Sequence, residues 1–161
     1  MPAIGHFSEP HLRHFILAII FGVLLTVDAA AAGICSYPVK GNLVVTRNGQ
    51  VVATFRVGLA ENRSQHRQGL MGCRDLASGT GLLFIYPDAR RRTFWMKDTP
   101  LELAILFASS DGRIAAIEEG HPFSTHHIRS PDGIQFVLEI QLANVDHIRV
   151  GDRMTLRLVP E

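Results

Sequence analysis

Two stretches of this chain alternate apolar and polar side chains one by one, and that period of two restricts it to folds built from half-buried strands. In the first, Val51, Ala53, Phe55, Val57 and Leu59 share one face while Thr54 and Arg56 take the other. In the second, Ile134, Phe136, Leu138, Ile140 and Leu142 point one way, and Gln135, Val137, Glu139 and Gln141 the opposite way. Asn48-Gly49 separates residues 42–47 from residues 50–60. Both residue types tolerate positive φ, so the pair predicts a type I′ hairpin turn. Further strands are expected over residues 82–86, ended by Pro87-Asp88, over 93–97, and over 101–108, where Leu101, Leu103, Ile105 and Phe107 share a face. Ser109-Ser110-Asp111-Gly112 turns that strand into residues 113–118, and Gly151-Asp152 leads into a last strand with Met154, Leu156 and Leu158 inward. Residues 61–68 are polar, lack Gly and Pro, and stop at Gly69, the pattern of one short helix with a glycine cap. Seven or eight short strands with one short helix predict a mainly β fold, a compact barrel or sandwich. Strands do not alternate with long helices, which excludes a nucleotide-binding α/β sheet.

The chain has 161 residues, so a single domain over residues 33–161 is expected once residues 1–32 are set aside. Those 32 residues read as a signal peptide. Residues 15–27 form the one long apolar run, too short for a comfortable membrane span but of the length of a secretory signal core. His11, Arg13 and His14 precede it, and Ala29-Ala30-Ala31-Ala32-Gly33 supplies the small residues a signal peptidase accepts after Ala31 or Ala32. The expectation is a periplasmic or secreted protein with no membrane span in its mature form; a retained anchor is the competing reading. Ile34 before Cys35 argues against lipidation. With a net charge of +1, no long-range field favours nucleic acid, and no nucleic-acid partner is expected. Cys35 and Cys73 both survive cleavage, and two thiols in an oxidising compartment are expected to pair. The alternative leaves Cys73 as a buried thiol. The absence of a C-x-x-C spacing argues against redox catalysis.

Three motifs follow one another: Arg67-Gln68-Gly69-Leu70-Met71, then Gly81-Leu82-Leu83-Phe84, then Phe94-Trp95-Met96-Lys97-Asp98-Thr99. Val137-Leu138-Glu139 and Gly151-Asp152 complete the set. In this order they resemble the family called domain of unknown function 192, uncharacterised secreted or membrane-associated domains of bacteria and archaea. The resemblance covers residues 41–158 and implies a jelly-roll-like β-barrel or sandwich with one short helix. It implies no activity. Glu102 stands where the family often has Pro and Ala104 where it has Asp, so a mechanism needing an acid at 104 is not supported by this chain. The segment between Leu138-Glu139 and Gly151-Asp152 is also shorter than the family's.

Arg67, Arg74, Trp95, Lys97, Asp98, Thr99 and Glu139 are the candidate site residues. Guanidinium forks beside an indole would bind a carboxylate or another anion. In the structural reading, Arg67 and Arg74 instead pair with Asp75, Asp98 or Glu139 and hold the helix on the sheet. Glu139 is an ordinary surface acid if its face meets water, and a tuned group if that face closes over a cleft. His121, His126 and His127 do not fit a metal-ligand spacing, and Arg90-Arg91-Arg92 reads as a solvated turn. No phosphate-cradling glycine loop, G-x-S-x-G or Cys–His nucleophile pairing appears, so no metal or cofactor is expected. The functional expectation is a binding or accessory module of the cell envelope, holding a small molecule or an envelope component near Trp95. The alternative is an acid–base hydrolase using Glu139 with Asp98 or Glu102.

Overall fold

Local turn chemistry starts the sheet. Asn48 and Gly49 take φ values of 49° and 81°, joining β1 (Gly41–Arg47) to β2 (Gln50–Ala60) as an antiparallel hairpin. The computed structural model describes residues 34–160; the signal-peptide reading of residues 1–32 lies outside them. After β2 come α1 (Arg63–Gln68), β3 (Thr80–Arg90), β4 (Thr93–Phe94), β5 (Leu103–Ser109), β6 (Ile114–Gly120), β7 (Ile128–Arg129), β8 (Ile134–Gln141) and β9 (Arg153–Leu158). Seven strands form one sheet in the order β6-β5-β8-β3-β2-β1-β9, and β4 pairs with β7 in a small second sheet. Neighbours in the large sheet run antiparallel except β2 and β3, which are parallel and joined by the crossover that carries α1. The sheet curls until the ends of its two edge strands meet, at the Arg113–Arg153 bridge and through backbone bonds such as Ile114 N to Asp152 O and Met154 N to Gly112 O, each at 2.8 Å. Among the described residues the fold is mainly β with one α-helix, and sandwich-like rather than a closed barrel. No helix among the described residues is long and apolar enough to cross a membrane.

The sheet buries apolar side chains on both faces. Leu43, Val57, Leu106, Leu138, Ile140 and Met154 pack inside the curl. On the other face, Phe84, Leu103, Ile105, Phe107 and Val137 are covered by Ile34, Tyr37, Leu70, Leu76 and Met96 from the connecting segments. Strand β5 is therefore apolar and buried from Leu103 to Ala108, as expected of a strand buried on two faces. The short helix gains little from intrinsic propensity. Asn62 caps it by accepting from the backbone N–H groups of Ser64 and Gln65, each at 3.0 Å, while Gln65 Oε1 accepts from Asn62 N.

Several expectations require correction. A bulge in the hairpin opposes Val45 to Ala53 but Thr46 to Val51, which turns Val51 out of the core to 64% exposure. Leu158 ends the last strand 67% exposed, beyond the reach of the core. Pro87 does not end β3, because its ladder with β8 lapses between Ile85 and Arg90 and no N–H is needed there.

The basic run is not a solvated turn either. Arg91 remains outside, paired with Asp132, but Arg92 is only 6% exposed. Its guanidinium stacks 3.8 Å above the Tyr86 ring, pairs with Asp88 at 2.8 Å and donates to the carbonyl oxygens of Ile134 and Asp88. Losing these charged donors leaves acceptors unpaired, so Arg92→Ala is expected to cost about 2–3 kcal/mol in urea denaturation. Arg91→Ala, at an exposed ion pair, should cost less than about 0.5 kcal/mol. Equal effects for the two would contradict the structural role given to Arg92. Asp152 of the Gly151-Asp152 element is likewise structural. It is buried, takes both Arg47 Nε and a terminal Arg47 nitrogen at 2.8 Å, and accepts from the backbone N–H of Arg149. The hydrogen bonds from Arg47 hold its carboxyl below the usual carboxylate range.

Candidate functional site

Strand alternation places Glu139 between two residues of the inner core, Leu138 and Ile140, so its own side chain projects from the opposite face. That face is not open water. The crossover after α1 and the segment around β4 fold over it, leaving a concavity of about 350 Å³. Glu139, Phe84 and Leu103 line it from the sheet. His66, Arg67 and the chain from Gly69 to Met71 line one side, and Phe94, Trp95, Met96 and Thr99 the other. Gly69 takes φ 46° and ψ −134° as its N–H closes the helix on Gln65 O. A Cβ at this position would stand 3.4 Å from Phe84 Cζ and 4.0 Å from Glu139 Oε2, so glycine lets the backbone approach the acid closely.

Glu139 is 5% exposed, and its Oε2 is buried with no hydrogen-bond partner. Burial, with no compensating charge, pushes its carboxyl up to about 8. Among the described residues it is the only acid lining the concavity. Tyr86 also lines it, with its phenol pushed up to about 12, chiefly by burial and against the opposing pull of Arg92. His66, on the side of the wall formed by α1, packs against Tyr86. Its ring centroid is 4.2 Å from that of Tyr86, and Nε2 sits 3.0 Å from Ala60 O and 3.1 Å from Ile85 O. Two carbonyl acceptors require the proton on Nε2. Arg92, Tyr86 and His66 thus form a stacked column that fixes one wall.

Four of the seven candidates meet at this concavity: Arg67, Trp95, Thr99 and Glu139. Trp95 is 45% exposed at its mouth, and Arg67 is exposed on α1. Thr99 is buried and bonded to the backbone: its hydroxyl donates to Lys97 O and its carbonyl accepts from Phe123 N. Lys97 and Asp98 lie outside the lining, in the turn closed by the bond from Thr99 N to Met96 O. Asp98 has φ 54°, a conformation Asp and Asn adopt more readily than most residues, and its carbonyl accepts from Gly72 N. The Lys97–Asp98 pair at 3.6 Å is exposed, and the Lys97 ammonium lies 5.7 Å from the centroid of the Trp95 ring. Arg74 and Asp98 border a separate shallow depression with Phe123. Neither Arg67 nor Arg74 makes an ion pair among the described residues, against the structural reading that gave them one. Cys35 and Cys73 are joined in a disulfide. His66 and Tyr86 were not legible as site residues, since neither lies in a motif and their meeting depends on the crossover.

A family model, DUF192, described as an uncharacterised ACR, matches residues 43–156. A protein of Sinorhizobium meliloti 1021, whose crystal structure is described as that of a candidate transcription regulator, is 36% identical. The match covers 77% of this chain and 98% of that one, with a TM-score of 0.70. A protein of unknown function from Novosphingobium aromaticivorans DSM 12444 is 27% identical over 80% of this chain and 94% of its own, also with a TM-score of 0.70. No curated protein matches.

Proposed function

Because this chain belongs to the DUF192 family, which is uncharacterised and lends it no activity, we propose from its own geometry that it is a cell-envelope binding module holding a small ligand over Glu139. One observation carries the reading: a buried carboxyl oxygen without a partner borders a concavity otherwise lined largely by aromatic and apolar side chains. Leaving such a group unpaired costs stability, and a ligand that donates to it recovers the loss. The volume, near the lower end for ligand pockets, favours a small molecule. The leader-like residues 15–27 and the Cys35–Cys73 disulfide support export to an oxidising compartment. The hydrolase alternative lacks its second acid, since neither Asp98 nor Glu102 lines the concavity.

A small-molecule screen on the purified protein tests the proposal by two readouts. A ligand at one hundred times its Kd should add about 2.7 kcal/mol to folding stability, a rise of roughly 8 °C in Tm. It should also change the fluorescence of Trp95, the chain's single tryptophan. Ligands that raise Tm while leaving Trp95 emission untouched would place binding elsewhere and defeat the proposal.

A further inference from the structure

We propose that the ligand is a primary ammonium on a short apolar or aromatic stem, its ammonium on Glu139 and its stem against Phe84, Phe94 and Trp95. This rests on the binding reading above and names its chemistry. The unpartnered Oε2 calls for a hydrogen-bond donor, and an ammonium offers three with a compensating charge. Phe84, Tyr86, Phe94 and Trp95 all line the concavity, and aromatic faces attract a cation. An anionic head would meet Glu139 at close range, and a hard metal ion needs several oxygen ligands where this concavity supplies one carboxylate. Arg67 on the lining and Lys97 beside the Trp95 ring are exposed and screened by solvent, whereas Glu139 is buried where it borders the concavity.

The groups around Glu139 are Tyr37 from the N-terminal arm, His66 and Arg67 from α1, and Tyr86 from β3 with Arg92 behind its ring. None supplies a permanent counter-charge in contact with Oε2. Free Glu139 therefore keeps its proton at neutral pH, and binding an ammonium releases that proton to solvent. Affinity should rise about tenfold per pH unit from pH 6 to 8 and then level off, since the amine stays charged until about pH 10.

Titration calorimetry of the full chain with 2-phenylethylammonium, 2-phenylethanol and 3-phenylpropionate decides the matter. The ammonium is expected to bind at least tenfold more tightly than the other two at pH 8, with about one proton released at pH 7. Glu139→Gln should lose that preference, and its thermal melt at pH 8 verifies that the variant is folded. Equal binding of the alcohol, or an ammonium affinity that is flat with pH, overturns the ligand class. If the alcohol then still changes Trp95 emission, the binding site itself stands. Failure of all three probes to bind also overturns the class, and the broad screen judges the site separately.

Discussion

Glu139→Gln is expected to leave the protein about as stable as wild type at pH 5 and several kcal/mol more stable at pH 8. Burial raises the folded carboxyl from its ordinary value of 4.5 to about 8. Between those values the unfolded chain has lost a proton that the folded chain retains. Stability therefore falls as pH rises, by up to about 1.4 kcal/mol per pH unit. The contribution is fully present below the unfolded value and is lost once pH passes the folded one, a loss on the order of 5 kcal/mol. Glutamine keeps the shape and removes the ionisation, so the variant's slope should vanish. Urea denaturation of both proteins at pH 5 and pH 8 measures it. A wild type with the same stability at both values would show that Glu139 finds a compensating partner. A side chain whose replacement stabilises the fold and abolishes binding has the profile of a functional residue held at the expense of stability.

Reducing the Cys35–Cys73 disulfide, or replacing Cys35 by Ser, should cost about 4 kcal/mol in a chain-entropy account of its 38-residue separation. The bond fastens the N-terminal arm to the crossover. There Ile34 and Tyr37 enter the outer core, and Tyr37 donates its hydroxyl hydrogen to Gln65 O at 3.1 Å. Loss of the bond lets the arm leave together with the apolar area it covers. The urea midpoint should fall by roughly 2 M, and an unmoved midpoint in reductant would mean that the arm docks without it.

What could be read from the sequence was what is decided locally. Asn48-Gly49 fixes its turn by its own backbone preferences, and the β5–β6 hairpin is marked by Ser109 through Gly112. Alternation also put Glu139 on the correct face. It could not say that this face is covered, because the cover comes from residues 34–37, 69–76 and 93–99, distant in the chain. Faces were misassigned where the period of two breaks: Val51 follows a bulge, and Ile134 joins the outer core after a register shift beside β5. Arg91 and Arg92 are identical as letters and opposite in burial, a difference made by Tyr86 and Asp88. The motif residues Lys97 and Asp98 lie in a turn outside the lining, with the Lys97 ammonium 5.7 Å from the Trp95 ring centroid, while His66, in no motif, stands in the wall.

Among the described residues the first and last strands are partners: β1 lies between β2 and β9, with Leu43 opposite Leu156 and Val45 opposite Met154. A nascent chain cannot complete this ladder until β9, separated from β1 by every other strand described, has also been synthesised. Closure of this ladder thus waits for β9, and until then β1 keeps one edge open to any other strand that arrives first.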